Sequence, residues 1–272
     1  MSAPSNASRF SDAVAALYQD LLVPLIFEPY AADLVARLTP LRPSRVLELA
    51  AGTGVVTREL AAGLPAEVHL VATDLNEAML AVARAQGTTR EVTWRRADAM
   101  ALPFEDASFD AVVCQFGAMF FPDKAHAFAE ARRVLRPGGT LLFNVWDRIE
   151  TNDFACVVSD AVAGLFPEDP PDFLARLPHG YFSAEAIARD LAAGGFAAQP
   201  TITTVGAISR AGSADSVALA YCQGTPLRGE IEARSGAGLA EATGVASAAL
   251  AARFGRGPMA GRIQGIVVQV VR

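Results

Sequence analysis

The 272-residue sequence contains one lysine, Lys124, among its 23 basic residues. All other permanent cations are arginines, so a triphosphate loop ending in Gly-Lys-Ser/Thr is excluded. No tyrosine stands four residues before Lys124, which removes the Tyr-Lys pair of short-chain dehydrogenases. Cysteine is scarce: Cys114, Cys156 and Cys222 lie far apart, odd in number, with no CxxC pair and no Cys/His ligand spacing. Neither a disulfide framework nor a metal site is expected, and the thiols read as free, buried groups in a reducing cytosol. The longest strongly apolar stretch, Ala111–Phe121, contains Gln115 and is far short of the ~18 residues of a membrane span. Basic residues form no run and the formal net charge is −6, which argues against a nucleic-acid partner. Met1–Ser8 lacks a cationic start and an apolar run, so it reads as a tail and a cytoplasmic location is expected.

What is present is apolar and helix-favouring: 52% of residues are hydrophobic, enough for a sizeable core. Ser11 and Asp12 are placed to cap a helix that Pro24 is expected to stop near Leu22, and Pro29 opens a second one, Tyr30 to Leu38. From Arg45 strands and helices alternate. Strands are expected at Arg45–Leu49, Val68–Thr73, Val92–Arg95, Ala111–Phe116 and Thr140–Trp146, with helices near 55–62, 76–85 and 123–135. Ser183 caps a later helix, and Thr201–Ile208 and Ile263–Val271 read as final strands. The class is α/β, a doubly wound and mostly parallel sheet. Four stretches are expected: an N-terminal helical cap over 1–43, a core over 44–149, a proline-rich lid over 150–182, and a C-terminal part over 183–272 carrying a helical insertion at 209–260.

The first strand runs into Glu48-Leu49-Ala50-Ala51-Gly52-Thr53-Gly54 just before a helix. Glycines there let a ligand approach the main chain closely. A dinucleotide turn calls for a third glycine where this chain has Thr57. S-adenosylmethionine has no phosphate, and its ammonium and ribose hydroxyls favour carboxylates such as Glu48, so it is the ligand the turn suits best. Asp74, twenty residues after Gly54, ends the second strand where a carboxylate can accept from a ribose diol, with Leu75 beside it. Asp98 follows the third strand, placed to accept from an adenine amino group, and Leu102-Pro103-Phe104 offers apolar walls.

Taken in order, the glycine turn, Asp74, Asp98-Ala99, Leu102-Pro103-Phe104, Ser108-Phe109-Asp110 and Val134-Leu135-Arg136-Pro137-Gly138-Gly139 resemble the class I S-adenosylmethionine-dependent methyltransferases. The likeness is to the ubiquinone and menaquinone biosynthesis branch and covers about residues 44–146. It implies a seven-stranded sheet of order 3-2-1-4-5-7-6 with the last strand antiparallel. It also implies that Glu48, Thr53 and Gly54, with Ala50 and Gly52 in the same turn, hold the methionine end of the cofactor. Asp74 would take the ribose, Asp98 and Ala99 the adenine, and Gln115 the sulfonium side, with Leu75 also counted among the cofactor-binding residues. Ala50 departs from the family, which usually has glycine there.

The fourth strand ends Gln115-Phe116-Gly117-Ala118-Met119-Phe120-Phe121, without the Asn/Asp-Pro-Pro-aromatic tetrad of enzymes that methylate DNA bases or glutamine. Phe116, Met119 and Trp146 are therefore expected to face a hydrophobic small-molecule acceptor, methylated at O, C or N. The rival readings are a non-methylating protein of the same fold and, further off, a nicotinamide oxidoreductase. Of the three histidines, His69 reads as structural and His126 as an exposed or satisfied helix residue. His179, in Pro178-His179-Gly180-Tyr181-Phe182, is the candidate base, with Asp147 after the fifth strand as the alternative.

Overall fold

The computed structural model describes residues 12–272, which separate into two compact units. The expectations for Met1–Ser8 and for Ser11 as a cap fall outside the described residues.

One unit comprises Glu28–Trp146, Tyr181–Val205 and Gly265–Arg272. The chain's seven-stranded sheet is built on β1 (Arg45–Leu49), β2 (His69–Asp74), β3 (Thr93–Arg96), β4 (Phe109–Gln115), β5 (Leu135–Trp146), β6 (Thr201–Ala211) and β7 (Met259–Val271), of which residues 206–211 and 259–264 are counted with the other unit. The order is β3-β2-β1-β4-β5-β7-β6. β1 to β5 pair in parallel, and β7 runs antiparallel to β5. β1 and β4 are apolar almost throughout because both faces are covered. On one face α2 (Glu28–Leu38) and α3 (Val55–Gly63) bury Leu34, Val35, Leu38, Val56 and Leu60 against Val46, Val113 and Leu142. On the other, Phe128 of α5 (Lys124–Val134) packs against Phe143 of β5. Local capping sets the helix starts: Asn76 accepts from Ala78 N at α4 (Glu77–Gln86), Asp123 from His126 N at α5, and Ser183 from Ala186 N at α8 (Ala184–Ala193).

The family-like motifs after β3 turn out to be fastened to each other. Arg133 donates to the carbonyls of Phe104 and Leu102 and to Asp106, while Glu130 accepts from Leu102 N. Asp110 accepts from the backbone of Ser44 and Arg45 and from Arg136. The Phe104 ring meets Phe109 edge-on at 5.2 Å, so it serves the packing of this corner.

The other unit comprises the chain up to Phe27, Asp147–Gly180 and Gly206–Gln264. Pro24 does not stop the first helix. α1 (Asp12–Leu17) continues into a wide, π-type coil over Tyr18–Phe27 with Pro24 inside it. The looser winding moves the preceding carbonyls away from where an α-helix would drive them into the proline ring. α6 (Asp153–Ala163), the short α7 (Phe173–Arg176), α9 (Ala214–Gln223), α10 (Leu227–Glu232) and α11 (Leu239–Phe254) complete it. Asp153 fixes the start of α6 by accepting from Arg262 N at 2.8 Å and pairing with its guanidinium at 2.9 Å. No helix among the described residues is long and apolar enough to cross a membrane.

Candidate cofactor site

The turn after β1 is held in a conformation that few side chains adopt. Ala50 has φ +51°, Gly52 +56° and Gly54 +83°. Left-handed backbone costs a residue with a Cβ about 1–2 kcal/mol, which gives a physical reason for glycine at position 50 in the family. Ala51 N donates to Thr73 O and Gly54 N to Ala51 O, both at 2.9 Å, so the loop folds back on the end of β2. Gly54 also caps α3 without a side-chain bond, leaving that helix start open to a ligand.

Three polar side chains converge on this turn. Glu48 is 2% exposed, and the hydroxyl of Thr57 donates to its Oε2 at 2.5 Å. Burial, with Asp74 adding like charge, raises the Glu48 carboxyl from near 4.5 to about 8. Asp74 accepts from Gly52 N through Oδ2 and from Asn76 N through Oδ1, each at 2.8 Å. Desolvation also raises its pKa. The capping of α4 belongs to Asn76, so Asp74 is left to the turn. Thr53 is 1% exposed, and its hydroxyl has no hydrogen-bond partner among the described residues. A buried hydroxyl without a partner is a group to be explained, and a polar ligand in the turn explains it.

The adenine-side residues lie one strand over. Asp74 pairs in register with Arg96, and Ala97 N donates to Asp74 O at 3.0 Å, bringing Asp98 and Ala99 next to the end of β2. Asp98 is exposed; its Oδ1 accepts from Met100 N, closing a turn around Ala99. Leu75 is one of few large apolar side chains left exposed, at 37%. These residues suit the cofactor: an acid for the diol, an apolar side chain for the ring, and a second acid beyond it.

At the ends of β4 and β5 the expected acceptor residues pack on one another. The rings of Phe116 and Trp146 stack at 3.7 Å and 5°, and Tyr30 of α2 meets both edge-on at 5.1 and 5.3 Å. Tyr30 is fully buried and donates to Val205 O. Met119 is 2% exposed and Gln115 is also buried. Phe116 has φ +48°, and its N–H donates to Oδ1 of Asn144 at 2.9 Å. Sequence reading did not single out Tyr30 or Asn144. The signal for Asn144 was an isolated amide in the apolar run Leu141–Trp146.

In the helical unit, His179 is buried and its Nδ1 lies 2.7 Å from the carbonyl of Asp147. A carbonyl only accepts, so Nδ1 carries the proton. Burial depresses the ring from 6.5 to about 4, so it is neutral at physiological pH. The Asp147 carboxylate accepts from Gln264 Nε2 at 2.6 Å and from Arg148 N at 2.7 Å.

Residues 47–143 match the family model described as a methyltransferase domain. The ubiquinone/menaquinone biosynthesis C-methyltransferase of Methylobacterium nodulans is 40% identical over 129 residues, 45% of this chain and 51% of that protein. The demethylmenaquinone methyltransferase of Thermus thermophilus is 34% identical over 180 residues, 60% of this chain and 79% of that protein. The chain thus spans about half the length of the first relative and most of the second. Among solved structures, the cyclase SpnF aligns with TM-score 0.59 at 18% identity, covering 100% of this chain and 97% of that one. An N-methyltransferase of Haemonchus contortus, solved with phosphomonomethylethanolamine and S-adenosylhomocysteine, gives 0.58 at 18% identity, covering 97% of this chain and 59% of that one. At such identities the likeness is one of fold.

Proposed function

This chain belongs to the class I S-adenosylmethionine-dependent methyltransferases, and from that premise we propose that it methylates a hydrophobic small molecule. The observation that carries the reading is the left-handed turn with a buried acid, Glu48, an outer acid, Asp74, and the partnerless hydroxyl of Thr53. When bound, the cofactor supplies a methyl group on a positively charged sulfur.

Asp74 would accept from the ribose hydroxyls through the lone pairs its backbone bonds leave open. Glu48 and Thr53, with the Ala50, Gly52 and Gly54 backbone, would hold the amino-acid end. Leu75 and Ala99 would flank the adenine, Asp98 would accept from its amino group, and Gln115 would stand on the sulfonium side. Methyl transfer is an in-line displacement, so alignment and exclusion of water supply much of the rate. Phe116, Met119 and Trp146 form an apolar, aromatic strand edge that favours a flat, poorly hydrated acceptor.

His179 and Asp147 remain our candidates for handling an acceptor proton. The low basicity of His179 favours orientation over proton removal. A small-molecule acceptor and a cytoplasmic setting complete the proposal, and the charge balance favours no nucleic-acid partner. The test is a labelled-methyl screen over quinols, phenols, amines and fatty acids. Transfer to a quinol or phenol is the expected result. Tight cofactor binding without transfer to any class would support the non-methylating alternative.

A further inference from the structure

Arg58 is the only charged residue between Glu48 and Glu59, and neither the motif nor the proposed cofactor contacts use it. It stands in the first turn of α3, where the positive end of the helix disfavours a cation. It is also half-buried, and burial leaves its guanidinium less basic than a free one. A cation held at such a cost calls for a role.

The contacts supply one. Nη1 of Arg58 donates to the carbonyl of Thr53 at 2.7 Å. Gly54 N, the other end of the same peptide unit, donates to Ala51 O at 2.9 Å. In a trans peptide these two groups point in opposite directions, so the Thr53–Gly54 unit is held from both sides. Gly54, at φ +83°, has no Cβ to restrict rotation of that unit, and the bond from Arg58 restricts it instead. The guanidinium also lies against the glycine. A Cβ on Gly54 would fall 3.5 Å from Nη1, and 3.0 Å from Cη2 of Trp94 on β3. The peptide so fixed carries the partnerless hydroxyl of Thr53 and caps α3.

We infer that Arg58 is a positioning residue for the amino-acid end of the cofactor, its guanidinium holding the Thr53–Gly54 peptide so that the Thr53 hydroxyl and the start of α3 receive that end. Charge supports the assignment. The amino-acid end carries an ammonium and a carboxylate, and the turn already holds two acids, Glu48 and Asp74. The start of α3 and Arg58 supply the positive field that a ligand carboxylate needs beside them. The charge of Arg58 acts on Glu48 itself, as well as on Glu28 of α2 and Glu59. The inference rests on the cofactor reading of this turn and deepens it.

The test compares two ligands on the full chain by calorimetry. S-adenosylhomocysteine carries the amino-acid end, whereas 5′-methylthioadenosine keeps the adenosine and the sulfur without it. Arg58→Met retains the apolar stem and removes the charge and the donors. It is expected to weaken S-adenosylhomocysteine binding by roughly 10- to 100-fold, the range for a hydrogen bond from a charged donor. Binding of 5′-methylthioadenosine should stay within about twofold of wild type. Arg58→Lys keeps the charge and a donor on a differently shaped head, and is expected to recover at least about half of the logarithmic loss. Should Arg58→Met fail to fold, Arg58→Gln takes its place with the same split between the ligands. A merely structural role would weaken both ligands alike, so an equal loss overturns the inference. S-adenosylhomocysteine affinity within about twofold of wild type, or no recovery with lysine, overturns it as well. In each of those cases wild type still binds both ligands and the cofactor reading stands. Wild-type protein that binds neither ligand removes the cofactor reading and this inference with it.

Discussion

The methyl group of Ala50 occupies the space that a side chain on Gly117 would need: a Cβ built on Gly117 falls 2.5 Å from it and 2.8 Å from Cys114 Sγ. The departure from glycine at position 50 is thus accommodated by a glycine on the neighbouring strand end. Gly117→Ala is expected to lower stability by about 1–3 kcal/mol through overpacking. In an Ala50→Gly background the cost should fall by at least ~0.5 kcal/mol, because one of the two clashes is gone. Denaturant unfolding of the four proteins of that cycle measures the coupling, and additive effects would mean that the two positions relax independently.

Asp74→Ala is expected to weaken S-adenosylmethionine binding by about 2–3 kcal/mol, the scale of charge-assisted hydrogen bonds. Because Asp74 also accepts from Gly52 N and Asn76 N, truncation loosens the turn as well. Asp74→Asn keeps one carbonyl oxygen and should lose less. Calorimetry decides, and an affinity for the alanine variant within threefold of wild type would place the ribose elsewhere.

The fold was legible because each strand in the first half is an apolar run bounded by turn residues, and the caps at Asn76, Asp123 and Ser183 announce themselves locally. Pro24 misled because a wide coil tolerates a ring that an α-helix would reject. The cofactor turn was readable since its constraint is a backbone conformation, and glycines record such constraints. Tyr30 and Asn144 were not, because their roles depend on register between distant strands. His179 stands out in the sequence by its Pro178-His179-Gly180-Tyr181-Phe182 setting, whereas its low basicity is set by burial, which composition does not record.

For His179 the expected pH behaviour follows from its environment. The folded pKa of about 4 lies below the unfolded value near 6.5, so the unfolded chain binds the extra proton between them. Stability contributed by the neutral ring is complete above pH 6.5 and is lost as pH falls toward 4, roughly 3 kcal/mol in total. His179→Asn should flatten that acid limb in unfolding experiments. In turnover, a ring that stays neutral gives no inflection between pH 5.5 and 7.5, and the variant should lose activity by less than about 10²-fold without a change in cofactor affinity. An inflection near 6.5 that disappears in the variant would instead identify a titrating base.

Glu48 is expected to act in the opposite direction. Burial lifts its folded pKa to about 8 against an unfolded value near 4.5, so between these limits the native state holds a proton that the unfolded chain has released. Stability is therefore full below pH 4.5 and declines as pH rises through 8, with a slope of at most about 1.4 kcal/mol per pH unit from this group. Glu48→Gln keeps an oxygen for the Thr57 hydroxyl and cannot ionise, so it should be more stable than wild type at pH 8 by several times RT while converging with it near pH 4.5. The difference between the two proteins isolates Glu48 from the opposing His179 limb, which both share. Cofactor binding adds a second readout. A ligand ammonium drawn to the ionised form would release a proton on binding near pH 7, visible as a buffer-dependent calorimetric enthalpy that the glutamine variant lacks. A wild-type curve parallel to that of Glu48→Gln from pH 5 to 8 would mean that the carboxyl is ionised in the folded state throughout, and that the acid at the end of β1 is stabilised by more than the Thr57 hydroxyl.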